Sequence, residues 1–147
     1  MTSHQVYLGL GSNLGDREGN IRKAIDLLHE RVGEVVRQSS LIETVPWGFE
    51  SEHRFLNGVI LCETTLTPRQ VLKVTQKIER ELGKTKAHAT KRQLSMLNSQ
   101  LPTFKDRPID IDILLYDDWE VEEPDLKIPH PLMRERDFVM IPLKEIL

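Results

Sequence analysis

Hydrophobic and polar positions along this chain switch between two periods, and the switches mark the elements. Val6-Tyr7-Leu8-Gly9-Leu10 predicts a strand running into Gly11-Ser12-Asn13-Leu14-Gly15-Asp16. Ile21, Ala24, Ile25 and Leu28 then recur at helical spacing, and Gly33 is expected to end that helix. One less regular strand is expected from about Glu34 to Glu43, and Thr44-Val45-Pro46-Trp47-Gly48-Phe49 breaks regular structure. From Phe55 to Glu63 the period is two, with Phe55, Asn57, Val59 and Leu61 on one face and Leu56, Gly58, Ile60 and Cys62 on the other. Thr67-Pro68-Arg69-Gln70 is a helix start, with Thr as N-cap, Pro in the first turn and Gln closing a capping box. Val71, Val74, Ile78 and Leu82 form its apolar stripe before Gly83, with Gln76 and Glu79 on the polar side. Residues 84–106 show no periodicity.

Arg107-Pro108-Ile109-Asp110-Ile111-Asp112-Ile113-Leu114-Leu115-Tyr116 is the sharpest pattern of all. Ile109, Ile111 and Ile113 point one way, Asp110 and Asp112 the other. Same-face neighbours on a strand lie about 6.6 Å apart, where two bare carboxylates repel by roughly 2.5 kcal/mol at an effective dielectric near 20. A divalent cation between the two oxygen clusters offsets that cost; a wet strand face is the alternative. Asp117-Asp118 predicts a turn, strand-like pieces follow at Trp119–Val121 and Leu126–Ile128, and a helix is expected to start near Leu132 and to include Arg136 and Phe138.

A length of 147 residues fits one domain with a real core, here taken as 1–147 with a long basic loop at 84–106. The net charge of −3 argues against a general nucleic-acid binder. The single cysteine, Cys62, excludes an internal disulfide and a Cys-rich zinc site, and its apolar setting predicts packing. No apolar run is long enough to span a bilayer and no signal-like start is evident, so a cytoplasmic protein is expected.

Candidate chemistry gathers at a few points. Gly9, Gly11 and Gly15 follow GxGxxxG, which fits a tight strand-to-helix turn better than a nucleotide cradle. Phe55 beside Asn57 offers a ring and an amide for a flat heterocycle, or a core Phe with a bonded Asn. Lys84, Lys86, Lys91, Arg92 and Lys105 precede Arg107, which fits an arm over polyphosphate or a solvated loop. His130 sits between Pro129 and Pro131, a rigid backbone setting.

Four blocks together resemble the 6-hydroxymethyl-7,8-dihydropterin pyrophosphokinase family: Gly9-Leu10-Gly11-Ser12-Asn13-Leu14-Gly15, Phe55-Leu56-Asn57, Arg107 through Leu114, and Ile128-Pro129-His130-Pro131 through Arg136 and Phe138. The resemblance implies an α+β domain with a ferredoxin-like βαββαβ core, a mainly antiparallel sheet and helices on both faces. It implies transfer of pyrophosphate from ATP to the hydroxymethyl group of the dihydropterin, releasing AMP. A monomer with no nucleic-acid or membrane partner is expected. Asp110 and Asp112 would hold two Mg²⁺ ions, Phe55 and Phe138 would sandwich the pterin, and Asn57 would read its edge. Thr44, Pro46, Trp47 and Gly48 would complete that pocket. Gln76, Glu79, Lys86, Ile113, His130 and Arg136 match ATP-contacting positions, and Arg107 and Lys84 match cations on the transferred phosphates. Lys84 and Lys86 stand where the family usually has arginines, losing the planar two-pronged phosphate contact. The rival readings are a related metal-dependent kinase or hydrolase with another acceptor, and a ferredoxin-like module for RNA or a regulatory ligand. The Asp pair and acidic balance speak against RNA.

Overall fold

The computed structural model describes residues 2–45, 54–83 and 107–147. Pro46, Trp47, Gly48, Lys84, Lys86 and the rest of the 84–106 connection lie outside the described residues. In chain order the elements are β1 (His4–Ser12), α1 (Arg17–Arg31), β2 (Gly33–Gln38), β3 (Ile42–Thr44), β4 (Phe55–Thr64), α2 (Pro68–Leu82), β5 (Asp110–Tyr116), β6 (Val121–Glu123), β7 (Leu126–Ile128), a 3₁₀ turn (Met133–Glu135) and α3 (Asp137–Ile146). The main sheet runs β2-β4-β1-β5, with β3 beside the far half of β4, and β6 and β7 form a separate hairpin. Among the described residues every pairing is antiparallel. This is the expected ferredoxin-like order.

Two cores sandwich the sheet. Val6, Leu8, Leu10, Ile60, Cys62, Ile111 and Ile113 meet the buried stripes of α1 and α2, Ile21, Ala24, Leu28, Val71 and Ile78 among them. On the other face Val59, Leu61 and Leu114 meet Met133, Val139, Leu143 and Ile146 of the C-terminal segment. The two faces of β4 divide as its alternation predicts. Cys62 is fully buried, and burial pushes its thiol up to about 12.

Several local expectations need correction. Gly9 and Gly11 are interior residues of β1, and only Gly15, at φ +68°, makes the turn. Gly33 does not end α1; Val32 does, and Gly33 opens β2 against the Glu63 carbonyl, where a Cβ has no room. The single strand expected over 34–43 is two, because Ser39 turns aside to exchange hydrogen bonds with Val59 through both its backbone and its hydroxyl. The piece expected at Trp119–Val121 lies at Val121–Glu123. The last helix does not run unbroken from Leu132: Arg136, at φ −114° and ψ 104°, separates the 3₁₀ turn from α3. At Leu114 the β1–β5 register slips by one residue, a bulge that alternation alone does not announce.

Among the described residues no helix is long and apolar enough to cross a membrane.

Candidate active site

The site is built across three strands on the α3 side of the sheet. Gly11 of β1 pairs with Asn57 of β4 on one flank and Asp110 of β5 on the other; Gly9 pairs likewise with Val59 and Asp112. Residues opposite one another across a sheet share a face, so the two glycines form a floor without side chains between an Asn–aromatic wall and a two-carboxylate wall. Phe138 and Val139 from the start of α3 close over it, and these residues together line one cleft. Gly11 is bare for a reason: a Cβ there would stand 2.8 Å from Asn57 Oδ1 and 3.4 Å from the Phe55 ring.

The Asn–aromatic wall is braced by β3. Thr44 pairs with Phe55, and Asn57 Nδ2 donates to Thr44 Oγ1 at 2.6 Å. Thr44, Phe55 and Asn57 are therefore gathered on one flank of Gly11, and Phe138 lines the same cleft as Asn57.

The carboxylate wall is braced by both cations and turns. Arg107 Nη1 donates to Asp110 Oδ1 at 3.0 Å, and Arg136 Nη1 stands 3.9 Å from Asp112 Oδ2. Arg136, 7% exposed, also sits over the Phe138 ring, 5.6 Å from its centroid, so one guanidinium joins the two walls. Arg136 is the extended residue between the 3₁₀ turn and α3. The bulge at Leu114 frees a carbonyl that accepts the His130 backbone N–H at 3.0 Å, and His130 Nδ1 accepts from the Leu132 amide at 3.3 Å. His130 is thereby fixed close enough to feel Arg136 and Asp110; burial, then Arg136, lowers its proton affinity.

Glu79 is not simply on the wet side of α2. Its carboxyl accepts the Ile111 amide at 2.8 Å, covering the outer edge of β5. Burial and then the Asp110 charge push it up to about 8. Asp112 is raised by burial first and Asp110 second, with Arg136 and Arg107 opposing. Three carboxyls thus press on one another, and a divalent cation would relieve them. Among the described residues no three His, Cys, Asp or Glu side chains converge as a metal cage. Asp110 and Asp112, two oxygen donors on one strand face, are a donor set that fits magnesium, which keeps waters and takes one or two carboxylates plus substrate phosphates. Of the remaining sequence candidates, Gln76 is exposed on α2 and Ile113 buries its side chain in the main core, leaving only its backbone for any ligand.

One contributor was missed in the sequence. Asn13, 2% exposed, accepts the Arg107 backbone N–H through Oδ1 at 2.7 Å while its own backbone N–H donates to the Arg107 carbonyl at 3.1 Å. An Asn after a strand is a turn signal; nothing local says that its partner lies 94 residues on.

A family model described as 7,8-dihydro-6-hydroxymethylpterin-pyrophosphokinase (HPPK) matches residues 7–147. The chain belongs to this family. The 2-amino-4-hydroxy-6-hydroxymethyldihydropteridine pyrophosphokinase of Porphyromonas gingivalis is 46% identical over 142 residues, 96% of this chain and 89% of that one. The Bacillus subtilis protein of the same name is 40% identical over 142 residues, covering 96% of this chain and 77% of its own. A crystal structure of an HPPK-DHPS protein in complex with substrates superposes with a TM-score of 0.72 at 14% identity, over 99% of this chain. The chain spans 40% of that longer protein, and the likeness carries the fold alone.

Proposed function

We propose that this pyrophosphokinase works at the cleft over Gly9 and Gly11, moving the terminal pyrophosphoryl group of ATP to the hydroxymethyl oxygen of 6-hydroxymethyl-7,8-dihydropterin in folate synthesis. The observation that carries the reading is the face shared by Phe55, Asn57, Asp110 and Asp112, a heterocycle wall and a metal wall separated by two glycines. The hydroxymethyl oxygen attacks the β-phosphorus in line, the bond from that phosphorus to the α-bridging oxygen breaks, and AMP leaves. The hydroxyl proton passes to solvent. Such transfers run through a loose transition state, so alignment and charge neutralisation do most of the work.

Phe55 and Phe138 hold the pterin between them, Asn57 reads its edge with its amide already oriented by Thr44, and Pro46, Trp47 and Gly48 complete that pocket. Asp110 and Asp112 hold magnesium, with two ions expected. When bound, magnesium neutralises phosphate oxygens and acidifies the attacking hydroxyl. Arg107, kept in place by Asn13, lies along the transferred phosphates with Lys84. His130 and Arg136 contact ATP, as do Gln76, Glu79, Lys86 and the Ile113 backbone. Action as a monomer, and work in the cytoplasm beside the ATP supply, belong to the same proposal.

The test mixes protein, ATP, Mg²⁺ and the dihydropterin. Stoichiometric AMP and diphosphorylated pterin are expected. ADP as product, or ATP consumption that ignores the pterin, would overturn the proposal in favour of a kinase or hydrolase with another acceptor.

A further inference from the structure

Arg17 is the first residue of α1, on the face of the sheet away from the cleft. Its Nη2 donates to Glu43 Oε2 at 2.8 Å and its Nη1 to the Arg54 carbonyl at 3.0 Å. Glu43 belongs to β3, and Arg54 immediately precedes β4. One guanidinium therefore grips both strands of the shortest pairing in the main sheet, whose three rungs are Ile42 with Asn57, Glu43 with Leu56 and Thr44 with Phe55. The base of Arg17 is itself rigid. Gly15 takes the left-handed conformation, Asp16 caps the helix by accepting the Gly19 amide at 3.1 Å, and Asn20 Nδ2 donates to the Leu14 carbonyl at 3.0 Å.

We infer that Arg17 is a positioning residue for the pterin end of the cleft, setting Thr44, Phe55 and Asn57 through the β3–β4 pairing without touching the ligand. This rests on the reading of that end as the pterin wall. The face logic is explicit. Glu43 and Leu56 are opposite each other and look toward α1, whereas Thr44 and Phe55 look into the cleft. Arg17 holds Glu43 and the Arg54 carbonyl, the chain neighbours of Thr44 and Phe55, so its grip fixes the second pair through the backbone. The effect is one of population. Three rungs alone hold a short strand weakly, and an apparent dissociation constant rises as the competent fraction falls. The two-acceptor grip also needs the planar fork of arginine; a lysine ammonium keeps the charge but not both directed contacts.

Arg17→Ala, Arg17→Lys and Glu43→Ala are to be compared with the wild-type chain. Binding of 6-hydroxymethyl-7,8-dihydropterin is measured with a saturating non-hydrolysable ATP analogue and Mg²⁺, binding of the analogue is measured alone, and kcat, KM and Tm are recorded. If the competent fraction drops to about a tenth in Arg17→Ala, pterin Kd rises about tenfold. The analogue's Kd should stay within about twofold, Arg17→Lys should fall between Arg17→Ala and wild type, and Glu43→Ala should shift the same way as Arg17→Ala, all with Tm within a few degrees of wild type. Unchanged pterin binding in Arg17→Ala, or equal losses for pterin and nucleotide, would overturn the inference. Should Arg17→Ala not fold, Glu43→Ala alone decides by the same criterion. A wild-type chain that binds no dihydropterin would defeat the site reading, and this inference with it; a wild-type chain that binds it as well as Arg17→Ala does defeats the inference only.

Discussion

At the scale of single residues, the site is a set of carboxyls kept too close together for comfort. Asp112 and Glu79 hold their protons more tightly than usual because burial and the Asp110 charge both penalise ionisation. The consequence for stability has a definite sign. Unfolded, these groups ionise near their ordinary values of 3.8 and 4.5; folded, they keep protons up to about 7 and about 8. Between those limits the native state binds more protons than the unfolded one, so stability falls as pH rises. With a chelator present, Tm should be higher at pH 5.5 than at pH 8 by roughly several degrees, and Asp112→Asn or Glu79→Gln should flatten that slope. A chelated wild-type chain with flat Tm across this range would refute the crowding account. The same Asp112→Asn change should cut turnover by about three orders of magnitude or more, roughly 4 kcal/mol of transition-state stabilisation, while leaving the fold intact. A stopped-time AMP assay beside a melting curve checks both halves at once, and near-normal turnover would remove Asp112 from the metal site.

At the scale of elements, β1 shows how two backbone residues shape a binding floor. Gly9 and Gly11 differ in what surrounds them. A Cβ on Gly9 would meet Leu114 at 3.5 Å, ordinary contact, whereas one on Gly11 would press on Asn57 Oδ1 at 2.8 Å. Gly11→Ala should therefore displace the Asn57 amide from Thr44 and weaken pterin binding about tenfold or more, since a directed hydrogen bond to a polar heterocycle is worth about 1–2 kcal/mol. Gly9→Ala should fold with unchanged Tm. Titration of both variants with the dihydropterin measures the difference, and a harmless Gly11→Ala would mean that Asn57 is free to move. How far the sequence announces such an element depends on whether its partners are near or far. The period of two in β4 and β5 already divides their faces, and Thr67, Pro68 and Gln70 announce α2 because a capping box is closed within four residues. The split between β2 and β3 is not announced. It depends on Ser39 reaching Val59, and on Ser40 donating to Glu145 near the chain's end at 2.7 and 2.8 Å. The clamp of Asn13 on Arg107 and the reach of Glu79 to Ile111 escape for the same reason: each joins elements that only the folded sheet brings side by side.

At the scale of the molecule, two cores of unequal size sit on opposite faces of one sheet, and they carry different duties. The larger unites the sheet with α1 and α2 and holds no ligand wall directly; the smaller seats α3, whose first turn brings Phe138 and whose N-cap is Arg136. Beyond that small core, α3 is fastened at its far end by Arg37 donating to the Ile146 carbonyl at 3.0 Å and by Glu145 accepting from Ser40. A matched pair of cavity mutations separates the duties. Leu28 and Leu143 are the same residue type and almost equally buried, at 0% and 1% exposure. Leu-to-Ala changes at such sites cost about 2–5 kcal/mol. In Leu28→Ala that loss falls on the whole domain, so every slowly exchanging amide of β1, β4 and β5 should exchange faster while substrate affinities of the folded fraction hold. In Leu143→Ala it falls first on the docking of α3. Amides of α3 should then exchange through a local opening well below the global unfolding energy, and affinities for both pterin and ATP should drop together because Phe138 and Arg136 leave with the helix. Native-state hydrogen exchange combined with ligand titration reads both quantities. If the two variants exchange alike and lose affinity alike, the cores act as one cooperative unit and α3 has no separate role in assembling the site.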